Sequence, residues 1–391
     1  MNDAQASNPN YIKAGSLRAG FYFAHCFIAT LTVPVVHAAA EDHASQSDAS
    51  EQRLYIGADP RLELLTVVQL LSRYPYLTPY RVNYARDAIA HFSSHQRHQA
   101  ITLFQNLSSG VGWSDAYPTA MLYLSDPPAL ETNGPIPPHI YRAFRGPKNF
   151  TRFIQVLRDF ARQTHFNRFF ARQEKLYIRL KAELSQDLSH RDPTAAVEAY
   201  YGTRQLSYHL VLSPLLHHGG FGPHLGRPGG PYDVYTLLGP TGAERGVPKY
   251  GPRDQLLQII WHEFSHAYVN PLSEDHYDEL MHHAELFTPL AEQMNAIGYT
   301  RWLDCANEHL IRAITARLAH HHLGPEAGRQ TLREESARGF RYIHALAHRL
   351  EEYEARRDDY PTFASFFPQL IAVFAELQST HPNRDTAPLT H

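Results

Sequence analysis

Residues 261–266 read Trp261-His262-Glu263-Phe264-Ser265-His266, which contains the pattern His-Glu-x-x-His. On a helix, side chains four apart leave from one face, so His262 and His266 can each offer an imidazole nitrogen to the same metal ion. Glu263, beside the first of them, can then reach a water in the position left open. Three ligands and a water form the open coordination of catalytic zinc, which brings the pKa of that water toward about 7 and polarises a carbonyl. A carboxylate placed as general base takes the proton and passes it to the leaving amine.

Histidine is abundant, with 26 copies in 391 residues, so the pentapeptide needs context. Leu256, Ile259, Ile260, Glu263 and His266 keep helical spacing, with Pro252 near the start. Asn270-Pro271 reads as the stop, so the motif falls mid-helix. Upstream, Leu206–Leu212 and Tyr232–Leu238 are β-rich runs joined by a glycine-rich excursion, read as two neighbouring strands. Those glycines lack a following Gly-Lys-Ser/Thr and do not form a phosphate loop. A sheet in this place would supply an edge strand for an extended substrate.

A third ligand is needed downstream. The elongated form with Gly three and His six residues past the second His is absent, since Val269 and Leu272 stand there. Glu308 is the choice, because it lies among apolar residues in a helical run where an unpaired carboxylate is costly. It also stands four residues before Arg312, so the two can form an ion pair, and Arg312 can orient the ligand. Glu274, Asp275, His276, His282, His283 and Glu285 read more simply as a solvated face or loop. His320-His321-His322 precedes Gly324-Pro325 and reads as helix capping, and His217-His218 as loop.

The rest of the chain sets the class as α+β, mainly helical with a small sheet. Leu54–Ile56 is expected as a short strand, Pro60 opens a helix, and helical patterns follow over 82–92 and 96–107. Gly110–Pro147 reads as loop with at most a strand at Met121–Leu124. From Phe150 to Leu188, Phe153, Val156, Leu157, Phe160, Phe166, Phe169 and Phe170 make an aromatic core surface. Further helices are expected over Leu303–His322, Arg333–Glu354 and Phe363–Leu377.

The formal charge is −3, with 36 basic and 39 acidic residues and no long basic run, so nucleic acid is excluded as a partner. Two cysteines, Cys26 and Cys305, make neither a disulfide framework nor a cysteine zinc cluster. Lys13 and Arg18, the apolar run Ala19–Val36 and the alanines 38–40 read as a secretory signal peptide, against a membrane anchor as the other reading. The expected organisation is therefore signal 1–40, a mainly helical region 41–195, a strand-bearing segment with the motif helix 196–272, a helical region 273–385 and a tail 386–391. A periplasmic or secreted location follows, with no membrane contact after cleavage.

A His-Glu-x-x-His helix with a glutamate on a later helix resembles the gluzincin branch of zinc metallopeptidases, and Asn307-Glu308 echoes the Asn-Glu of thermolysin-like enzymes. Those enzymes place an Asp four residues past the ligand Glu, where this chain has Arg312. A closer likeness is to a bacterial family of zinc metallopeptidases with a domain of unknown function. It rests on Pro60-Arg61-x-Glu63-Leu64-Leu65, His262-Glu263-Phe264-Ser265-His266-Ala267-Tyr268-Val269-Asn270-Pro271, Glu308-x-x-x-Arg312-Ala313 and Tyr353-Glu354-x-x-Arg357-Asp358-x-Tyr360-Pro361-Thr362-Phe363.

The resemblance implies a zincin-like core with Zn on His262, His266 and Glu308. Glu263 is then the base, acting on a peptide or protein substrate. Asp304 is a candidate to orient a ligand, and Tyr360, or Tyr353 in the same motif, is a candidate oxyanion donor. A binding module that keeps the fold without turnover, and a zinc hydrolase of other amides or esters, are the rival readings.

Overall fold

The computed structural model describes residues 53–380, which are predominantly helical with two small sheets. The larger sheet has strands β1 (Leu54–Gly57), β2 (Ser207–Leu212), β3 (Gly219–Phe221), β4 (His224–Leu225) and β5 (Asp233–Gly239). Its order is β1-β2-β5-β3, with β4 also paired to β5. A hairpin of Gly242–Glu244 and Val247–Lys249 makes the second sheet.

Strands β1, β2 and β5 run parallel, with Leu54 opposite Tyr208 and Tyr208 opposite Val234. Parallel neighbours need long crossovers. The first of these holds all the helices from Pro60 to Tyr201. The second is the glycine-rich excursion, which folds back as β3 and β4, both antiparallel to β5.

Alternation along the strands feeds two faces. Tyr208, Leu210 and Leu212 enter a core with Leu256, Ile260, Phe264, Ile311 and Ile314. Val211 and Leu237 instead meet Leu62, Leu122 and Phe221. A separate aromatic core, with Phe92, Phe104, Phe153, Phe160 and Phe166, lies among the N-terminal helices, as the Phe stripe predicts.

Local signals place the helix starts. Asp59 caps the helix Pro60–Leu71 by accepting from the Arg61 and Leu62 amides, and proline occupies its first turn. On this helix Glu63 is fully buried and neither carboxylate oxygen has a hydrogen-bond partner.

Three sequence expectations are corrected. Met121–Leu124 is not a strand: Ala116–Leu122 is a helix with every residue buried, and only a single bridge joins Leu124 to Thr132. The motif helix does not stop at Asn270-Pro271 but runs from Arg253 to Asp275, because Pro271 follows a run of buried residues whose packing carries the helix past the lost amide. Arg333–Glu354 is two helices, Pro325–Ala337 and Ile343–Ala355, parted where Gly339 takes a φ of 108°. The signal segment and the tail lie outside the described residues. Among those described, no helix is long and apolar enough to cross a membrane.

Candidate metal centre

Two packed helices build the site: Arg253–Asp275, which carries the motif, and Trp302–Leu323, which carries Glu308. Their contact brings His262 Nε2 to 3.6 Å from Glu308 Oε2 and His266 Nε2 to 3.6 Å from Glu308 Oε1. One ligand atom from each of the three residues lies within 4.8 Å of the others, a spacing that could hold a metal ion. Glu263 stands beside this group rather than in it, with Oε2 3.8 Å from His266 Nε2. Both glutamates are buried and both histidines are partly exposed, so the group opens on one side to solvent.

The neighbours fix protonation and aim. Burial alone would raise the Glu308 carboxyl, but the Arg312 guanidinium and then the two imidazoles carry it down to about 2. Arg312 donates to Glu308 Oε2 and to Glu335 Oε2, each at 2.8 Å, and its guanidinium lies 4.2 Å from the centre of the Phe340 ring. The expected i,i+4 ion pair is present, and the same guanidinium fixes the Glu308 carboxylate in place. Burial holds His262 well below the ordinary imidazole range, the neutral form a metal requires. Burial first, and the Glu308 charge second, push Glu263 up to about 8. His266 Nδ1 donates to Asn270 Oδ1 at 3.3 Å, which leaves the Nε2 lone pair facing the group.

The family model for a domain of unknown function (DUF4932) matches residues 102–373, more than half of the chain. This chain belongs to the DUF4932 family. No curated protein and no solved structure matches it. The DUF4932 span takes in the three residues of the group and Glu263 beside them, and begins past the Pro60–Leu65 motif.

Within that span the other expectations separate. Tyr360 is not brought to the metal group: its ring lies against Phe366 and the Arg356 guanidinium, at the turn before the last helix. Tyr353 is fully buried and donates to the Tyr200 carbonyl at 2.6 Å. Asp304 does not orient a ligand, because Arg301 holds both of its oxygens at 2.8 Å. His276 pairs with Glu279, His282 with the Asp278 carbonyl and His283 with Gln378, away from the group. His321 binds Glu354, and His322 packs on Trp261.

Three neighbours escaped the sequence reading. Asn270 was legible as the next residue four along the ligand face. Tyr299, whose hydroxyl accepts from Arg312 at 3.3 Å, stands outside any helix and gives no periodic signal. His224, on β4, lies close enough to His266 and His139 to interact with both, although 42 residues separate it from His266.

Proposed function

We propose that the chain is a zinc-dependent metallopeptidase of the gluzincin kind, with a zincin-like core, in which His262, His266 and Glu308 hold the metal and Glu263 is the general base. The observation that carries this reading is the separation of roles. Two imidazoles and a carboxylate converge, while a second buried carboxylate stands 3.8 Å from one of them without joining the set.

The donor set suits zinc, since nitrogen and single carboxylate ligands with one open side are its catalytic pattern. Zinc bound there supplies a Lewis acid and makes a water acidic. With zinc bound, Glu263, buried and 3.8 Å from His266 Nε2, would be placed to take a proton from the activated water and return it to the leaving amine. Arg312 keeps Glu308 anionic and in place throughout.

The sheet supports a peptide over a smaller substrate. Strand β3 ends the strand order, and its Gly220 runs so near the motif helix that a β-carbon there would lie 3.2 Å from Glu263 Cγ. An extended chain paired to the free edge of β3 would pass the general base. The secretory reading of residues 1–40 makes the periplasm or the exterior the place of action.

The test is Glu263→Gln in the purified protein. Zinc should remain stoichiometric while hydrolysis of a peptide library falls by at least about 100-fold. Full activity in this variant, or a wild-type protein that takes up no zinc, would refute the assignment.

A further inference from the structure

Transition states for amide hydrolysis place negative charge on the former carbonyl oxygen, and a donor aimed at that oxygen is usually worth more than any other single group. With Tyr360 remote, the described residues near the metal group offer few donors. The Tyr353 hydroxyl is committed to Tyr200, that of Tyr268 to Tyr208, and Tyr299 faces Arg312 and Glu308. The Arg312 guanidinium is divided between Glu308 and Glu335.

His224 is left. It follows the excursion that touches the motif helix most closely: a β-carbon on Gly222 would lie 2.1 Å from the Glu263 carbonyl oxygen. Two residues on, β4 pairs His224 with Val234, and the ring packs edge-on against Tyr232 with centroids 4.7 Å apart. Both contacts fix its direction. Nδ1 is buried and has no hydrogen-bond partner, yet the residue is partly exposed, so its open edge is the one bearing Nε2. An unpaired buried nitrogen leaves the proton to the nitrogen that can use it, which is Nε2.

Burial first, then His266 and His139, hold the ring near 4, so it is neutral at physiological pH. A neutral imidazole of this kind can donate to a developing oxyanion without surrendering its proton.

We propose that His224 is the second electrophile of the cleft, its Nε2–H donating to the substrate carbonyl oxygen as that oxygen becomes negative. The assignment rests on the peptidase reading for its substrate, and the segment between β2 and β5 then supplies both the edge strand and the donor.

The experiment uses the zinc-loaded full chain with His224→Phe and His224→Gln. Calorimetry would follow two probes, a phosphonamidate peptide that mimics the tetrahedral oxyanion and a thiol peptide that binds zinc without one. In His224→Phe the phosphonamidate should lose about 100-fold in affinity, with kcat on a cleaved peptide falling in parallel and KM little changed. Zinc content and thiol affinity should hold, which also reports a folded site. The Gln variant, which keeps an N–H donor, should recover part of the loss. Phosphonamidate affinity in His224→Phe within about twofold of wild type would overturn the proposal. His224-dependent phosphonamidate binding in a chain that cleaves no peptide would uphold the donor and refute the peptidase reading.

Discussion

Replacing Glu63 by Gln should stabilise the protein in alkali and leave it unchanged in acid. Glu63 is fully buried with both oxygens unpaired by the geometry of their neighbours, although the Ser213, Tyr84 and Tyr177 hydroxyls face it. Burial, outweighing those hydroxyls, raises its carboxyl from 4.5 to about 7. Because the folded value lies above the unfolded one, the protonated carboxyl contributes its full stability below about pH 4.5, and that contribution is lost as the pH rises through about 7. The gap between 7 and 4.5, at about 1.4 kcal/mol per pH unit, amounts to about 3 kcal/mol.

Gln keeps the shape of the protonated acid and does not titrate. Chemical denaturation of both chains at pH 4.5 and pH 8 should therefore show near equality at the first and an advantage of about 3 kcal/mol to the variant at the second. Taking the difference between the chains cancels Glu263 and the histidines, which titrate in both. An advantage that does not change with pH, or a variant less stable at pH 8, would show that the fold stabilises the Glu63 anion and would refute the reasoning.

Two further outcomes follow from the site. Asn270→Ala removes the acceptor from His266 Nδ1, and zinc affinity measured against a chromophoric chelator should fall by about 10- to 100-fold; an unchanged affinity would mean that Asn270 does not set the ring. Gly222→Ala places a β-carbon 2.1 Å from the Glu263 carbonyl oxygen, so it should cost about 1–3 kcal/mol in denaturation and lower turnover as well. Wild-type stability in that variant would mean that the connection between β3 and β4 is not in contact with the motif helix.

The convergence of His262, His266 and Glu308 is legible in the sequence because helical periodicity is a local rule. His262 and His266 share a face by spacing alone, and Glu308 was conspicuous as a carboxylate inside an apolar helical run. The aromatic core between Phe150 and Leu188 was legible for the same reason. What failed was tertiary. The helical propensity of Ala116–Leu122 was hidden by the prolines and glycines around it, and a proline that ends an isolated helix was overridden by the packing of Tyr268 and Val269. Gly339 was a readable stop that the apolar spacing on either side of it obscured. Tyr360 stands out by its place in a motif, yet its ring lies against Arg356 and Phe366. His224 comes near His266 only through strand pairing, which a sequence does not display.

The contact between Gly222 and the Glu263 backbone would, on the proposed function, tie recognition to chemistry. On the proposed function, any insertion or side chain that lifts the 219–230 excursion to admit a bulkier substrate would also shift the turn of helix that carries Glu263. Retargeting such a cleft by loop exchange would therefore trade catalytic rate for new selectivity, unless the replacement keeps a residue without a side chain at position 222.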